Sequence, residues 1–212
     1  MDVYDFKKEE KALYMPSGKP ALIEVPEMSF VAVDGKGDPN EANGEYSAAI
    51  TLLYNIQYTI KMSKKGDSQP PAYFDYVVPP LEGLWWFTGS LHEMPKDKSL
   101  FCWTSLIRLP DFVTNDVFDW ACREAARKKK IDTQKAKRIT FTEGLCVQCM
   151  HTGPFDDEAK TTMPLIHQFI TENGMALDIN DMRHHHEIYL SDPRKTTAEK
   201  MKTVLRVPVG YR

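Results

Sequence analysis

The fold is decided by a ten-residue stretch that occurs twice in related form: residues 30–39 read FVAVDGKGDP, and residues 146–155 read CVQCMHTGPF. In each copy a largely apolar run leads into a loop that contains glycine and proline, as expected where a buried strand ends. A second pair is related in the same way, since residues 75–80 read DYVVPP and residues 186–191 read HEIYLS. These pairs indicate an internal duplication, which predicts two similar halves about a pseudo-two-fold axis.

The order of the predicted elements agrees with a duplication, because strand, loop, helix and further strands follow one another twice. The predicted helices span residues 45–62, 114–130, 158–173 and 196–206. The predicted strands span residues 21–26, 28–35, 73–78, 84–87, 100–106, 139–142, 145–151 and 184–190. Residues 1–20 read as an irregular arm. We therefore expect an α+β fold: one domain over residues 1–212, with antiparallel sheets, half one at about 21–110, half two at about 111–212, and a ligand groove between the halves.

The strand predicted at residues 184–190 carries the clearest functional signal. Side chains alternate across a strand, so His185, Glu187 and Tyr189 share one face, and the residues between them face the core. A carboxylate flanked by an imidazole and a phenol is costly to bury without a partner. We expect this face to line the groove, and the duplication places Tyr76 opposite Glu187 across it.

Aromatic side chains are available for the walls of such a groove. Aromatic rings provide contact area and stacking for a planar ligand. The alternative for any single ring is that it packs in the hydrophobic core. Trp85 and Trp86 point to opposite faces of their strand, and the sequence does not decide which of them faces the groove; Trp86 is taken as the candidate. The residues expected to bind a planar ligand are Trp86, Trp103, Phe101, Trp120, His185 and Tyr189.

Two patterns suggest a metal site but do not support one. Cys146 and Cys149 have the CxxC spacing, yet on a strand they point to opposite faces, whereas a metal or redox pair needs both sulfurs on one side. We interpret these cysteines as buried and inert. The three histidines at residues 184–186 also alternate, so at most two reach one ion, and no third ligand is evident. No metal site is predicted.

Composition and charge exclude several classes of protein. No apolar run approaches the ~20 residues of a membrane span, and the first ten residues lack the apolar stretch of a signal peptide. The formal net charge of −3 argues against non-specific nucleic-acid binding, and the basic residues between 123 and 138 read as a solvated face. The four cysteines show no disulfide framework. We expect a cytoplasmic protein with reduced cysteines and no direct contact with nucleic acid or membrane.

Five segments together resemble the GyrI-like small-molecule-binding domain, which is built from two SHS2-type (strand-helix-strand-strand) halves. They are VPEMSF at 25–30, GKGDPN at 35–40, PLEGLWW at 80–86, HTGPFDDE at 151–158 and the run from His185 through Glu187 and Tyr189 to SDP at 191–193. The resemblance implies a pocket with aromatic walls, in which Glu187 looks like the family's pocket glutamate. The family includes effector domains of multidrug-sensing regulators, gyrase-inhibitor-like proteins and a stand-alone branch that hydrolyses cyclopropane-bearing DNA alkylators.

The hydrolase branch is the one that this sequence resembles most. Only about 20 residues precede the first strand, too few for a helix-turn-helix domain, and the LWW run at residues 84–86 is similar to that branch. We therefore expect an enzyme that opens a strained cyclopropane by water addition and needs no cofactor. Glu187 would orient or deprotonate the water, and Tyr76 would donate a hydrogen bond to a substrate oxygen or to the water.

Two other functions stay open at this point. A carboxylate over aromatic walls also suits a binding module that sequesters aromatic or cationic compounds without turnover. A gyrase-inhibitor-like role would need an exposed surface for a protein partner, which the sequence does not identify.

Overall fold

The computed structural model describes residues 3–66, 68–87 and 97–211. Within these ranges the chain forms five α-helices and seven β-strands. The helices are α1 (Phe6–Glu9), α2 (Lys11–Tyr14), α3 (Glu45–Met62), α4 (Asn115–Lys129) and α5 (Glu158–Glu172). The strands are β1 (Ala21–Lys36), β2 (Leu81–Phe87), β3 (Phe101–Arg108), β4 (Lys137–Thr152), β5 (Met175–Leu177), β6 (His185–Tyr189) and β7 (Lys202–Tyr211).

Six of the strands close into a barrel. The antiparallel order β4-β1-β3-β2-β6-β7 is completed by pairing of β7 with β4, and β5 adds to the end of β7 outside the barrel. Closure pairs both edges of the sheet, which protects their backbone groups from other chains. The expectation of an α+β fold with antiparallel strands is confirmed, although the strands form one continuous closed sheet.

The strand order repeats between the two halves. In the first half β3 lies between β1 and β2, and in the second half β7 lies between β4 and β6. In both halves the helix follows the first strand, as α3 follows β1 and α5 follows β4. The halves meet along two antiparallel pairs, β1 with β4 and β2 with β6, as a pseudo-two-fold axis requires. The boundary near residue 110 and the superposition of the halves stay predictions.

Two pairs of predicted short strands are each one long strand. Pro26 and Gly144 look like strand breakers, and the prediction divided the chain at both places. They meet in the β1–β4 ladder, where Val25 pairs with Gly144 and Glu27 pairs with Thr142. Pro26 lacks a backbone N–H, and Gly144 has a φ of 72°. The missing donor of Pro26 in β1 therefore lies next to the positive φ of Gly144 in β4, and both strands continue past this point.

Three other predicted segments are wrong. Residues 73–78 form only an isolated bridge, between Tyr76 and Tyr4. Residues 196–206 were predicted to be a helix from a capping-box match, but a short 3₁₀ turn at Ala198–Lys200 leads into β7. Seven consecutive residues of β7 are buried, and such an unbroken run does not distinguish a helix from a strand. The irregular arm contains α1 and α2.

Strand β6 separates two environments, and its predicted alternation is observed. His186 and Ile188 on its back face are fully buried, whereas His185, Glu187 and Tyr189 on its front face are half-buried. The front face lies toward α3 and the start of α5, and the back face lies in a polar interior. None of the helices in the described part of the chain has the length and apolarity that crossing a bilayer requires.

Candidate functional site

A cavity of about 960 Å³ lies on the front side of β2 and β6. This volume is at the upper end of the range typical of pockets for small organic ligands. Residues of α3, of the chain that leads into β2, of the start of α5 and of the loop after β6 enclose it. Its most buried lining side chains include Phe101, Trp85 and Glu158, with 5%, 8% and 9% of their surface exposed.

Two glutamates from different elements meet in this cavity, and we call them the carboxyl pair. Glu187 extends from the front face of β6, and Glu158 is the first residue of α5. Nε2 of His185 lies 3.4 Å from Oε1 of Glu187 and 3.8 Å from Oε1 of Glu158. In the described part of the chain, neither carboxyl forms an ion pair with a lysine or an arginine. No fixed cation therefore offsets the free-energy cost of burying these carboxyl groups.

The carboxyl of Glu158 responds to this environment with a raised pKa. Burial, together with the charge of Glu187 and a hydrogen bond to it, raises the pKa of the Glu158 carboxyl to about 10. Glu158 is therefore protonated at neutral pH. Oε2 of Glu158 is buried without a hydrogen-bond partner among the described residues. The described residues therefore leave the hydrogen-bonding capacity of this oxygen unused.

Tyrosine hydroxyls and an indole extend the polar end of the cavity. Nε1 of Trp85 donates a hydrogen bond to the hydroxyl oxygen of Tyr189 at 2.9 Å. That hydroxyl also lies within hydrogen-bonding reach of Glu187 and Tyr46, and burial with the nearby Glu187 charge raises its pKa. Burial likewise raises the pKa of Tyr46. Both phenols therefore remain neutral hydrogen-bond donors over the physiological range.

Glycine at position 83 allows this arrangement. Gly83 pairs with Glu187 across the β2–β6 ladder. A Cβ atom there would lie 2.6 Å from Nε1 of Trp85 and 3.1 Å from the hydroxyl oxygen of Tyr189. Any larger residue would push the indole and the phenol apart, because such contacts are shorter than van der Waals separation.

Aromatic rings surround the polar end. Tyr46 packs against Trp85 with ring centroids 5.4 Å apart. Phe155 meets Tyr189 edge to face at 5.4 Å, and Phe101 meets Trp85 in the same way at 6.1 Å. Edge-to-face pairs hold each ring in place and leave faces and edges for a planar ligand.

Four of the predicted site residues come together here. Glu187, Tyr189 and Phe101 line the cavity, and His185 lies directly against the carboxyl pair. Their common placement follows from the alternation of β6 and from the pairing of β2 with both β6 and β3.

Tyr76 does not stand opposite Glu187, so that prediction is wrong. Its side chain is fully buried, and its hydroxyl contacts the side-chain oxygen of Gln57 at 3.2 Å. Its ring lies among other core aromatics, including Phe112. The alignment failed because residues 73–78 do not pair as a strand, and the register places Gly83 opposite Glu187.

The three predicted tryptophans lie outside the cavity lining. Trp86 points away from it and stacks on His184, with ring centroids 4.4 Å apart, so Trp85 is the one that faces the cavity. Trp103 is fully buried, and its ring covers Gly35. It supports the Tyr46 ring edge-on at 5.1 Å. Trp120 is half-buried on α4 and packs against the main core.

Sequence reasoning missed Glu158, Tyr46 and Phe155. Tyr46 lies at the start of α3, and Glu158 lies at the start of α5. An acidic residue in such a position, as Glu158 is, is ordinarily interpreted as favourable to the helix dipole. Phe155 lies in the loop of the second repeat, whose glycine and proline drew attention instead. The duplication was the only signal that connected these positions, since it aligns the starts of α3 and α5.

Glu158, His185 and Glu187 are also the one group of three potential metal-binding side chains in the described ranges. Their candidate ligand atoms lie within 4.8 Å of one another. The absence of a metal cofactor stays a prediction.

Comparison with known proteins identifies the family to which this fold belongs. The model of the GyrI-like small-molecule-binding domain matches residues 18–209. This chain belongs to the GyrI-like family. A crystal structure of a hydrolase from Listeria innocua is similar to it at 50% sequence identity and a TM-score of 0.88, covering 98% of this chain and all of the other.

Other solved structures extend the comparison. An uncharacterized conserved protein from Listeria innocua is 52% identical with a TM-score of 0.92, over 98% of this chain and all of that one. The C-terminal domain of EcmrR is only 15% identical, covers 92% of this chain and 98% of its own, and has a TM-score of 0.53, so it shares the fold alone. No curated protein matches the chain. This GyrI-like protein therefore has close structural relatives, and its ligand must be inferred from the cavity.

Proposed function

We propose that this GyrI-like protein is a hydrolase that opens a strained cyclopropane in a planar, genotoxic small molecule by adding water, without a metal or organic cofactor. The observation that supports it most directly is the carboxyl pair, in which the pKa of Glu158 is raised, at the polar end of a cavity with aromatic walls. Two structures of Listeria innocua proteins with about half of their residues identical are described as hydrolases, which supports hydrolytic chemistry but specifies no substrate.

Glu187 is assigned as the general base. In a cyclopropane conjugated to a carbonyl, the oxygen of water attacks a ring CH₂ carbon and the carbon–carbon bond breaks. The electron pair of that bond moves into the conjugated system and ends on the carbonyl oxygen. A carboxylate beside the water removes its proton as the new bond forms, typically a contribution of 10²–10⁴-fold. Tyr189, held by Trp85, is within hydrogen-bonding reach of Glu187 and keeps its carboxylate oriented.

Glu158 is assigned as the donor to the substrate oxygen, a role that the sequence analysis gave to Tyr76. The developing charge on the carbonyl oxygen needs a donor, and the protonated Glu158 carboxyl has an oxygen without a partner. The substrate oxygen takes the proton of Glu158 while Glu187 takes the proton of water. The pair therefore holds one proton before and after the reaction, and a shift of that proton from Glu187 to Glu158 restores the starting state.

The planar body of the substrate is assigned to a different set of rings from the one expected. Tyr46, Trp85, Phe101 and Phe155 line the cavity, whereas Trp86, Trp103 and Trp120 do not. The proposed ligand is still a planar aromatic small molecule, because these rings offer stacking and edge contacts.

The test uses a spirocyclopropyl cyclohexadienone in water enriched in oxygen-18. We expect many equivalents of the ring-opened alcohol per protein molecule, each with one labelled oxygen in mass spectrometry. A protein that only sequesters the compound would remove at most one equivalent and give no labelled alcohol beyond the uncatalysed rate. That second function is favoured by the negative charge of the carboxyl pair beside aromatic rings, and multiple turnovers would exclude it as the sole activity.

A further inference from the structure

Three potential metal ligands converge at the polar end of the cavity, and two of them have a buried atom without a hydrogen-bond partner. Nε2 of His185 lies 3.4 Å from Oε1 of Glu187 and 3.8 Å from Oε1 of Glu158. Among the described residues, that nitrogen and Oε2 of Glu158 are both buried and make no hydrogen bond. Only 9% of the surface of Glu158 is exposed. Buried polar atoms without partners are costly, so such atoms beside a cavity point to a ligand.

The separations of the donor atoms fit an ion of the size of zinc. Zinc binds imidazole nitrogen and carboxylate oxygen at about 2.0–2.2 Å. In a tetrahedral site these bond lengths place neighbouring donor atoms roughly 3.3–3.6 Å apart. The two separations from the imidazole nitrogen are 3.4 and 3.8 Å, and one donor atom from each of the three side chains lies within 4.8 Å of the others. Small side-chain rotations would therefore complete a three-ligand site.

The charge and chemistry of the donors select the class of ion. Two carboxylates and a neutral imidazole carry two negative charges, which a divalent ion balances. In the described ranges, neither Glu158 nor Glu187 pairs with a lysine or an arginine that would balance them instead. A carboxyl ligates as the carboxylate, so the ion replaces any proton on Glu158, as in other metal sites. The imidazole favours zinc or a similar transition metal over magnesium and calcium, which prefer oxygen donors.

The surrounding structure holds the three side chains and leaves one side of the site open. Strand β6 places His185 and Glu187 on one face, and α5 begins with Glu158. The hydroxyl of Tyr189, to which Trp85 donates at 2.9 Å, lies within hydrogen-bonding reach of Glu187. Outer contacts of this kind orient metal ligands. Both glutamates line the cavity, so an ion between them keeps a coordination position that water or a ligand can reach.

We propose that Glu158, His185 and Glu187 form a binding site for Zn²⁺ or a similar divalent transition-metal ion, and that the bound ion inhibits the reaction at this site. The inhibition rests on the proposed function, whereas the binding does not. A Glu187 oxygen that is bound to the ion does not accept the proton of water, and a Glu158 carboxylate has no proton to donate. The protein is therefore active without the ion, and zinc regulates it by occupying the same atoms.

Binding is tested with the metal alone, in the absence of any organic ligand. Co²⁺ takes the same donors as zinc and absorbs visible light strongly in four- or five-coordinate sites. We expect about one equivalent of a coloured complex, which Zn²⁺ should bleach and excess Mg²⁺ should not. Only the weak absorption of six-coordinate Co²⁺, or bleaching by Mg²⁺, would overturn the proposal.

Matched variants locate the ion. Glu158→Gln and His185→Phe each remove one ligand and keep a similar shape, so zinc affinity should fall by more than the ~10–100-fold typical of an outer contact. Asp156→Asn and His167→Phe are the controls, because they change an exposed carboxylate before α5 and an exposed imidazole on α5. Melting temperatures without metal show whether each variant folds, and either ligand variant is decisive alone. Unchanged affinity in a folded ligand variant, or an equal loss in a control, would overturn the proposal.

Turnover in the presence of zinc tests the inhibition. At a free Zn²⁺ concentration of ten times the dissociation constant, about one molecule in eleven remains without the ion, so turnover should fall about tenfold. A chelator should restore it. Faster turnover with zinc, or full turnover with the site occupied, would refute inhibition by the ion.

The two proposals fail in different ways. Zinc binding that depends on Glu158 and His185, without labelled alcohol from the ion-free protein, would refute the hydrolase and keep the metal site. Labelled alcohol without such zinc binding would refute the metal site and keep the hydrolase.

Discussion

Two glutamate pairs lie on opposite sides of the β2–β6 ladder, and they are neutralised in different ways. On the back side, Glu82 and Glu143 both contact His186, and Glu143 also binds Arg206. On the front side, no lysine or arginine among the described residues pairs with Glu158 or Glu187, and burial beside Glu187 raises the pKa of Glu158. A buried carboxylate with fixed cations is committed to structure, whereas one balanced by a proton is available for chemistry.

The pKa shifts on the two sides have opposite directions. Burial alone would raise the pKa of Glu143, but His186 and Arg206 outweigh it and lower that pKa to about 2. Burial would lower the pKa of His186, but Glu143 and Glu82 raise it to about 9. Both nitrogens of His186 face carboxylates, as expected of a protonated imidazole. The pKa values of Glu143 and Glu158 are therefore shifted in opposite directions, because only the back face supplies fixed cations.

The largest expected effect comes from breaking the back pair. Arg206→Met leaves Glu143 with His186 as its only cation and removes donors to Gln148 and to the carbonyl oxygen of Leu13. Loss of one partner of a buried ion pair costs about 3–5 kcal/mol of unfolding free energy. Chemical denaturation would measure it. Arg194→Met, which removes an exposed ion pair with Asp192, is the control and should cost no more than about 1 kcal/mol. Equal losses in the two variants would contradict the structural role of the back pair.

The second effect concerns the front pair and should leave the fold intact. Glu187→Gln keeps the shape but removes the basicity, so turnover of the cyclopropane substrate should fall at least ~10²-fold. The melting temperature should be unchanged or higher, because a buried charge without a fixed cation is removed. Steady-state kinetics and thermal unfolding on the same preparation check both. Full turnover in this variant would remove Glu187 from the mechanism.

A third prediction tests the ladder position that separates the two sides. Gly83→Ala places a Cβ atom against Trp85 and Tyr189, so the indole must move and its hydrogen bond must weaken. Overpacking of this kind costs about 1–3 kcal/mol. We expect weaker binding of a planar ligand and a shift in tryptophan fluorescence. As a control, Gly66→Ala adds a methyl group where nothing lies within 4 Å and should be neutral. Unchanged ligand affinity in Gly83→Ala would show that the contact does not shape the cavity.

The last prediction concerns the pH dependence of stability, in which His186 on the back side and Glu158 on the front side contribute with the same sign. The raised pKa of His186 gives stability that is present below its unfolded value of about 6.5 and is lost as pH rises through about 9. Glu158 is protonated when folded but ionises near pH 4.3 when unfolded, so its raised pKa also makes stability fall as pH rises. Glu158→Gln should therefore make the stability profile less steep from about pH 4.3 to about pH 10 and leave the loss that is due to His186. Denaturant midpoints across pH check this, and an unchanged profile would contradict a protonated Glu158.

The contrast between the two faces of β6 was predicted from the sequence, because alternation is a local property. The positions of Glu187 and Tyr189 on the front and of His186 on the back follow from it. Glu158 was not predicted, because its place depends on how α5 packs across the sheet, and local periodicity does not report such packing.

The errors have the same origin. Tyr76 was placed by extending a strand pattern into a connection whose main tertiary contacts are made by side chains, such as the ion pairs of Asp75 with Lys61 and Lys64. Trp86 was chosen over Trp85 without knowledge of the register. The overall duplication was readable because both halves repeat strand, loop and helix, whereas the cavity depends on contacts between halves.

The hydrogen bond from Arg206 to the carbonyl oxygen of Leu13 joins residues 193 positions apart. Bonds of such sequence separation form only after the loops between them close. The same arm also binds earlier segments, since Glu10 accepts from Arg108 and the carbonyl oxygen of Ala12 accepts from Gln148. Loss of β7 would therefore remove one partner of the arm, one partner of the β6 and β4 edges, and the arginine of Glu143 at once.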